Sequence, residues 1–292
     1  MTTAHPTSLA VLGLGQLGAT LARAFLDNGH DLAVWNRTPA KADALVERGA
    51  RRAESVADAV RTADLIITVV SDYAAAEQLL EPVVDDLRGK TIVNLISGTP
   101  EQARALAAWS GERGIGYLDG AAMSGTTVVG KPEALFIFSG PEESFAAHRP
   151  ALSALGNAVY LGADPGLAAM YDTALFGLIW GSLSGFYHGA ALLGTEQVAA
   201  KTFAEVAVGH LSFIARLFAE HASQLDRGEL SDADGTVKVH ADAVHHLLET
   251  SRRQGIDTAV PELFAQLLRR GIDSGRGGSG VAVVAESIRN GV

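Results

Sequence analysis

The tightest constraint on this chain lies near its start. An apolar run, Ser8 to Leu12, passes straight into Gly13-Leu14-Gly15-Gln16-Leu17-Gly18. A helical pattern follows, with Leu17, Leu21, Ala24 and Phe25 on one face. It stops at Asn28-Gly29, before a second strand-like run from Asp31 to Trp35. The glycine spacing alone is a weak signal. Strand, glycine loop, helix and strand in that order are what a dinucleotide-binding βαβ unit requires. Gly13 permits the tight turn, and Gly15 lets the backbone approach a pyrophosphate resting on the helix N-terminus. Gly18 lets helix and strand pack closely.

The end of the second strand selects the dinucleotide. An NAD site usually places an Asp or Glu there to hold the ribose hydroxyls. This chain has Asn36-Arg37-Thr38-Pro39, with Lys41 beyond, and no acid. A carboxylate would repel a 2′-phosphate, whereas Arg37, Thr38 and Lys41 suit one, so NADPH is expected over NADH. Thr38-Pro39 also reads as an N-cap and first helical turn, which leaves a structural role for Thr38 open.

Further α/β units follow. Strands are expected at Asp64 to Val70, Thr91 to Leu95, Tyr117 to Met123, Ala134 to Ser139 and Ala158 to Leu161. Helical stretches lie at Ser55 to Thr62, at Glu101 to Ser110 and after Pro141. In a doubly wound sheet, ligands sit beyond the carboxyl ends of the strands. Val70, Ser71, Asn94 and Ser97 are therefore candidates for the cofactor, and Met123 and Ser124 for the substrate. Helix capping is an equal alternative for Ser71 and Ser97.

From Gly162 onward the pattern is helical. The first segment, Gly166 to Leu193, is apolar and carries a single formal charge, Asp172. At 1.5 Å per residue it would make a rod of roughly 42 Å. Gly177, Gly181, Gly185 and Gly189 recur at every fourth position and form a ridge without side chains. Such interior glycines cost on the order of 3–4 kcal/mol against alanine, so another helix is expected to pack closely there. Asp172, Phe176, Trp180, Ser184 and His188 form the adjacent stripe. The stretch is long enough to span a membrane. The charge, the hydroxyls and the lack of flanking Lys or Arg, the nearest being Arg149 and Lys201, argue against that. Further helices are expected at Ala204–Leu225, Val237–Arg253 and Pro261–Arg270, with a short one after the turn at Gly275–Gly280. His245-His246 has no ligand partner at helical spacing, so no metal is expected.

Composition narrows the function. A formal charge of −10 disfavours nucleic acid and anionic membranes as partners. The absence of cysteine removes disulfides and thiolate metal sites, which suits a cytoplasmic setting. The expected architecture is a Rossmann-type α/β domain over residues 1–162 and an all-α domain over residues 163–292, joined by the long helix.

This arrangement resembles the β-hydroxyacid dehydrogenase group. The resemblance rests on GLGQLG and GHDLAVWNRT in the N-terminal half. Those dehydrogenases keep a lysine in the long helix, in a G-x-x-x-K-x-x-x-N pattern. Here Gly166 is followed by Met170 and Ala174, and there is no lysine between Lys131 and Lys201. VNLISGTP, YLDGAAMSG, MYDTAL, QLDRGEL and HHLLETSRRQGIDTAVPE are similar instead to the imine reductases and reductive aminases, NADPH enzymes on the same scaffold. MSGTTVVG departs from that family's Pro-containing loop. The resemblance implies reduction of C=N bonds in small hydrophobic imines, or in a ketone plus an amine. It also implies Asp172 as proton donor or iminium stabiliser, and an intertwined homodimer with each active site shared between subunits. Met123, Ser124, Phe176, Trp180, Phe213 and His240 are the expected substrate-pocket residues. The alternatives are an NADP dehydrogenase acting on a carbonyl or hydroxy acid, and a non-catalytic NADP-binding regulator.

Overall fold

The computed structural model describes residues 7–290. The chain divides into two compact units, Met1–Gly177 and Leu178–Val292, and the division falls inside the long helix. The first unit is a mainly parallel sheet in the order β3-β2-β1-β4-β5-β6-β7-β8. Its strands are β1 (Ser8–Leu12), β2 (Asp31–Trp35), β3 (Arg51–Arg52), β4 (Leu65–Thr68), β5 (Thr91–Asn94), β6 (Gly116–Ala122), β7 (Leu135–Ser139) and β8 (Asn157–Tyr160). Only the β6–β7 pairing is antiparallel, so β7 and β8 run against the other six.

Strand residues alternate between two apolar layers because successive side chains point to opposite faces. Leu9, Val11, Ile67, Val93, Leu118 and Phe136 face helices α1 (Gln16–Asp27), α2 (Asp43–Val46) and, after the intervening elements, one at Glu142–Leu152. Ala10, Ile66, Ile92 and Tyr117 face α3 (Val56–Arg61), α4 (Tyr73–Leu80), α5 (Val84–Leu87) and α6 (Pro100–Glu112). Burial on both faces explains why the central strands read as unbroken apolar runs. The helix at Glu142–Leu152 is α7.

One lateral row breaks the apolar pattern. Thr68, Asn94, Asp119 and Ser139 pair in register across β4, β5, β6 and β7, near the carboxyl ends of the parallel strands. All four are buried. The Ser139 hydroxyl donates to the carbonyl of Pro165 at 2.9 Å and accepts the backbone N–H of Ala168 at 2.9 Å. Asp164 accepts the N–H of Gly166 at 2.9 Å and binds Arg104 through both oxygens, at 2.9 and 2.8 Å. These contacts fix the start of α8 (Gly166–Gly194) against the sheet. Hydrogen bonds from Arg104 and Gly166 hold the Asp164 carboxyl at about 2, below its usual value.

The second unit contains the rest of α8, α9 (Ala200–Arg227), α10 (Val237–Arg253), α11 (Ala259–Gly271) and α12 (Val284–Arg289). Val237, Leu268 and Val283 form a small core. Among the described residues, the close helix packing expected along the glycine ridge occurs only at Gly189. There a Cβ would come within 2.8 Å of the Phe203 ring, which stacks on Phe186 at 5.3 Å. A Cβ at Gly177, Gly181 or Gly185 would meet nothing within 4 Å. The ridge is therefore unused within one chain over most of its length. Among the described residues, α9 is long and apolar enough, by length and composition, to cross a membrane. It also carries Lys201, Glu205, Arg216, Glu220 and Asp226.

Replacing Ser139 by Ala would leave the buried Ala168 N–H and the Pro165 carbonyl without their partner. The unfolding free energy in a urea titration is expected to fall by about 1–3 kcal/mol.

Candidate active site

The glycine loop is shaped by three distinct contacts. Gly13 has φ +103°, and a Cβ there would lie 2.2 Å from the carbonyl oxygen of Val69. A Cβ on Gly18 would lie 2.0 Å from the Gly13 carbonyl oxygen. At Gly15 a Cβ would meet nothing within 4 Å, because it would project into an open cleft. Gly15 is also the N-cap of α1. No side chain caps that end and no acid stands in the first turn, so its N–H groups and the helix dipole are left for an anion.

The cleft has a volume of about 640 Å³ and lies wholly in the first unit. Gly13, Gly15, Gln16 and Leu17 line one side of it. Asn36, Arg37, Thr38 and Lys41 line another, with Val70 and Ser71 also contributing. Leu14 and Gly18 are buried behind them. Arg37, Thr38 and Lys41 are exposed. Thr38 occupies the N-cap of a short 3-10 turn, yet its hydroxyl makes no capping bond. Among the described residues, neither Arg37 nor Lys41 forms an ion pair within the chain. This donor set fits a 2′-phosphorylated dinucleotide.

Asn36 has a role the sequence did not show. Its Oδ1 accepts the N–H of Leu14 at 2.9 Å, and its Nδ2 donates to the Thr38 carbonyl at 3.1 Å. The side chain thus ties the glycine loop to the Arg37–Thr38 loop. At the next strand end, Asp72 caps α4 by accepting the Ala75 N–H at 2.8 Å, and the Ser71 hydroxyl donates to Asp72 at 2.9 Å. Thr99, rather than Ser97, caps α6 in a reciprocal box with Gln102, and Ser97 is exposed.

Asn94 lies outside the cleft lining, in a buried network. Thr68 Oγ1 donates to Asn94 Oδ1 at 2.8 Å, and Asn94 Nδ2 donates to Asp119 Oδ1 at 3.3 Å. The hydroxyls of Tyr73 and Tyr117 donate to the same oxygen at 2.9 and 2.8 Å. Among the described residues, Asp119 Oδ2 has no partner. Burial pushes the Asp119 carboxyl up to about 7, against the three donors, and the charge of Asp172 adds to the rise. Burial also raises both phenols, so they remain donors. The alternation Tyr117-x-Asp119, one acid in an otherwise apolar strand, was the available sequence signal for this network.

Asp172 is half-buried on α8. Ala169, one turn earlier, packs into the same apolar layer as Tyr73, Ile96 and Tyr117. Phe176, one turn later, is 58% exposed. Met123 and Ser124 follow β6 and are half-buried, and Ser124 Oγ accepts the Leu135 N–H at 2.9 Å. Trp180, Phe213 and His240 belong to the second unit. Trp180 and Phe213 are exposed, and His240 Nε2 lies 2.9 Å from the Asp234 carbonyl. Among the described residues no cluster of His, Asp and Glu suits a metal.

The contrast between Gly15 and Gly18 is testable. Gly15→Ala is expected to weaken NADPH binding by about tenfold or more, measured by fluorescence titration, while the melting temperature stays near that of the wild type. Gly18→Ala is expected to lower the melting temperature as well.

Known proteins give the same reading. The family profile described as "NAD binding domain of 6-phosphogluconate dehydrogenase" matches residues 8–162. That described as "NADPH-dependent reductive aminase-like, C-terminal domain" matches residues 164–290. An NADPH-dependent reductive aminase of Aspergillus oryzae is 32% identical over 287 residues, covering 97% of both chains. The structure of an imine reductase from Bacillus cereus superposes with a TM-score of 0.88 at 33% identity, over 97% of this chain and 99% of that one. A reductive aminase from Aspergillus terreus, in complex with cyclohexanone and allyl amine, does so with a TM-score of 0.88 at 34% identity, over 97% and 100%. With profile matches spanning both halves and an end-to-end relative above 30% identity, the chain belongs to the family of NADPH-dependent imine reductases and reductive aminases.

Proposed function

We propose that this protein reduces C=N bonds with NADPH, acting on small hydrophobic cyclic imines or iminium ions, or on a ketone together with an amine. The observation that carries this reading is the likeness to a reductive aminase along almost the whole of both chains. The loop after β2, basic and without an acid, supports NADPH as the reductant. When bound, NADPH supplies a hydride to the carbon of the C=N bond.

The chain's own residues do the rest. The open end of α1 and the bare Gly15 take the pyrophosphate, and Arg37, Thr38 and Lys41 take the 2′-phosphate. Val70, Ser71, Asn94 and Ser97 are assigned to the nicotinamide end. When carbon receives a hydride, nitrogen must already be positively charged or gain a proton. As a carboxylate, Asp172 holds a substrate that arrives already protonated. As a carboxylic acid, it gives its proton to a neutral imine nitrogen. Met123, Ser124, Phe176, Trp180, Phe213 and His240 are assigned to the substrate side. Residues 1–162 serve as the cofactor domain and residues 163–292 as the helical domain, in a cytoplasmic protein.

The functional form we infer is a homodimer whose subunits interlock through α8 and α9. Two observations support it. The ridge of Gly177, Gly181 and Gly185 stands open in one chain. Leu178, Ile179 and Tyr187 on α8, and Val206, Val208, Leu211 and Phe218 on α9, are exposed. Large exposed apolar side chains in such number on two helices mark a surface that another protein covers.

The reaction is tested by following NADPH absorbance with 2-methylpyrroline, with cyclohexanone plus methylamine, and with hydroxy acids plus oxidised cofactor. Consumption of NADPH only with the C=N substrates is expected, and activity confined to hydroxy acids sinks the reading. Asp172→Ala is expected to lower turnover by about tenfold or more with NADPH affinity retained. Light scattering should give a mass of twice the chain, and Gly181→Leu should shift it toward the monomer.

A further inference from the structure

The most unusual buried group in the first unit lies outside the lining of the glycine-loop cleft. Asp119 is 1% exposed, lies in the middle of the polar row, and has one carboxylate oxygen with three donors and one with none. A buried carboxyl half-satisfied in this way is expensive, and an Asn would retain most of the shape at lower electrostatic cost. Its surroundings point toward Asp172. Tyr73, which donates to Asp119, shares its apolar layer with Ala169, and Asp172 stands one helical turn beyond Ala169. The charge of Asp172 reaches both Asp119 and Tyr73.

We propose that Asp119 is a positioning residue for the reduction: it binds Tyr73, Tyr117 and Asn94 into one unit behind Asp172 and sets a second negative charge there. This rests on the C=N reading above. An iminium ion at Asp172 then meets two carboxylates when Asp119 is ionised and one when it is protonated. Asp119 acts through the field at Asp172 and does not touch the reacting atoms.

The groups that face Asp119 can be named element by element. They are Tyr73 from α4, Asn94 from β5, Tyr117 from its own strand, and Asp172 from α8. Ser139 is its register partner on β7, and Thr68 on β4 joins through Asn94. Helix α6 presents apolar Ala103 and Leu106 to the same layer. Among the described residues no cation is in this set. With burial the largest cause, the carboxyl titrates at about 7. The folded state therefore binds a proton that the unfolded state has already lost between about pH 4 and pH 7. Stability from this group is present at low pH and is lost as pH rises through that window.

The test uses an N-methyl-3,4-dihydroisoquinolinium ion, whose charge is permanent, so the substrate itself does not titrate. In the wild type, KM is expected to fall about threefold or more from about pH 6 to about pH 8 as the second carboxylate ionises. In Asp119→Asn, KM should be flat over that range, with kcat keeping a constant ratio to the wild type. A wild-type KM profile retained in Asp119→Asn overturns the proposal. The second readout needs no turnover: tyrosine difference absorbance should show a step near pH 7, as the acceptor of Tyr73 and Tyr117 gains charge. Asp172→Asn should move that step to lower pH, and an unmoved step also overturns the proposal. If Asp119→Asn does not fold, Tyr73→Phe takes its place. Removing that donor should move both the KM profile and the remaining tyrosine step to higher pH, and unchanged midpoints count against the proposal. A wild type that never reduces the iminium sinks the C=N reading, and the tyrosine step with its shift in Asp172→Asn, which need no turnover, then decide the coupling between Asp119 and Asp172 separately.

Discussion

The first unit depends on one requirement: polar groups taken into a doubly covered sheet must find partners there. Thr68, Asn94, Asp119 and Ser139 meet it by standing in one row, where each strand places its polar residue beside the next. The row does two jobs. At its centre, Asn94 and Asp119 gather two phenols and an amide around one oxygen. At its β7 end, Ser139 fastens the first turn of α8. The glycine-loop cleft lies beside this row at the same carboxyl edge, the place where a parallel sheet offers its helix N-termini. The helix that carries Asp172 is thereby registered to the sheet by hydrogen bonds rather than by apolar packing alone.

Much of the fold was legible in the sequence, because the relevant signals are local. β1 and β2 begin and end where their apolar runs do, and α10 matches its periodic stretch. Other elements differ for identifiable reasons. Asp64 to Val70 reads as one strand, but the strand proper is Leu65–Thr68; Val69 still donates its N–H to the Leu12 carbonyl at 2.9 Å, and Val69 and Val70 then line the cleft. β3 was missed because two arginines on an edge strand carry no apolar signature. The cleft residues could be chosen from motif order, because the glycines and the basic loop are fixed by what a phosphate needs. Asn36 could be chosen with them, but not its tie to Leu14, and Tyr73 and Asp119 could not be chosen, since these roles arise from contacts between segments far apart in sequence. The glycine ridge is a mixed case. Its spacing is plain, but a sequence does not say whether the covering helix belongs to the same chain, and among the described residues only Gly189 is covered from within.

The long helix shows how one fold can host different chemistry. A lysine early in this helix would place a cation beside the sheet edge, suited to a hydroxyl that must lose a proton. This chain has Met170 and Ala174 at the positions of the dehydrogenase pattern and a single acid, Asp172. The backbone scaffold is the same, while the charge it presents is inverted. An inverted charge favours cationic over anionic substrates.

The tie made by Asn36 has a consequence for engineering. Switching such a protein to the cheaper, unphosphorylated coenzyme is usually attempted by writing an acid at the end of β2. Position 36 is the tempting choice, because an Asp there has nearly the same size. A carboxylate would still accept the Leu14 N–H, but it would lose the N–H that Asn36 gives to the Thr38 carbonyl. The loop would then come loose at the very place where the new ribose contact is wanted. Redesign is better confined to Arg37, Thr38 and Lys41, whose side chains do not hold the loop together, with Asn36 left to pin the two loops to each other.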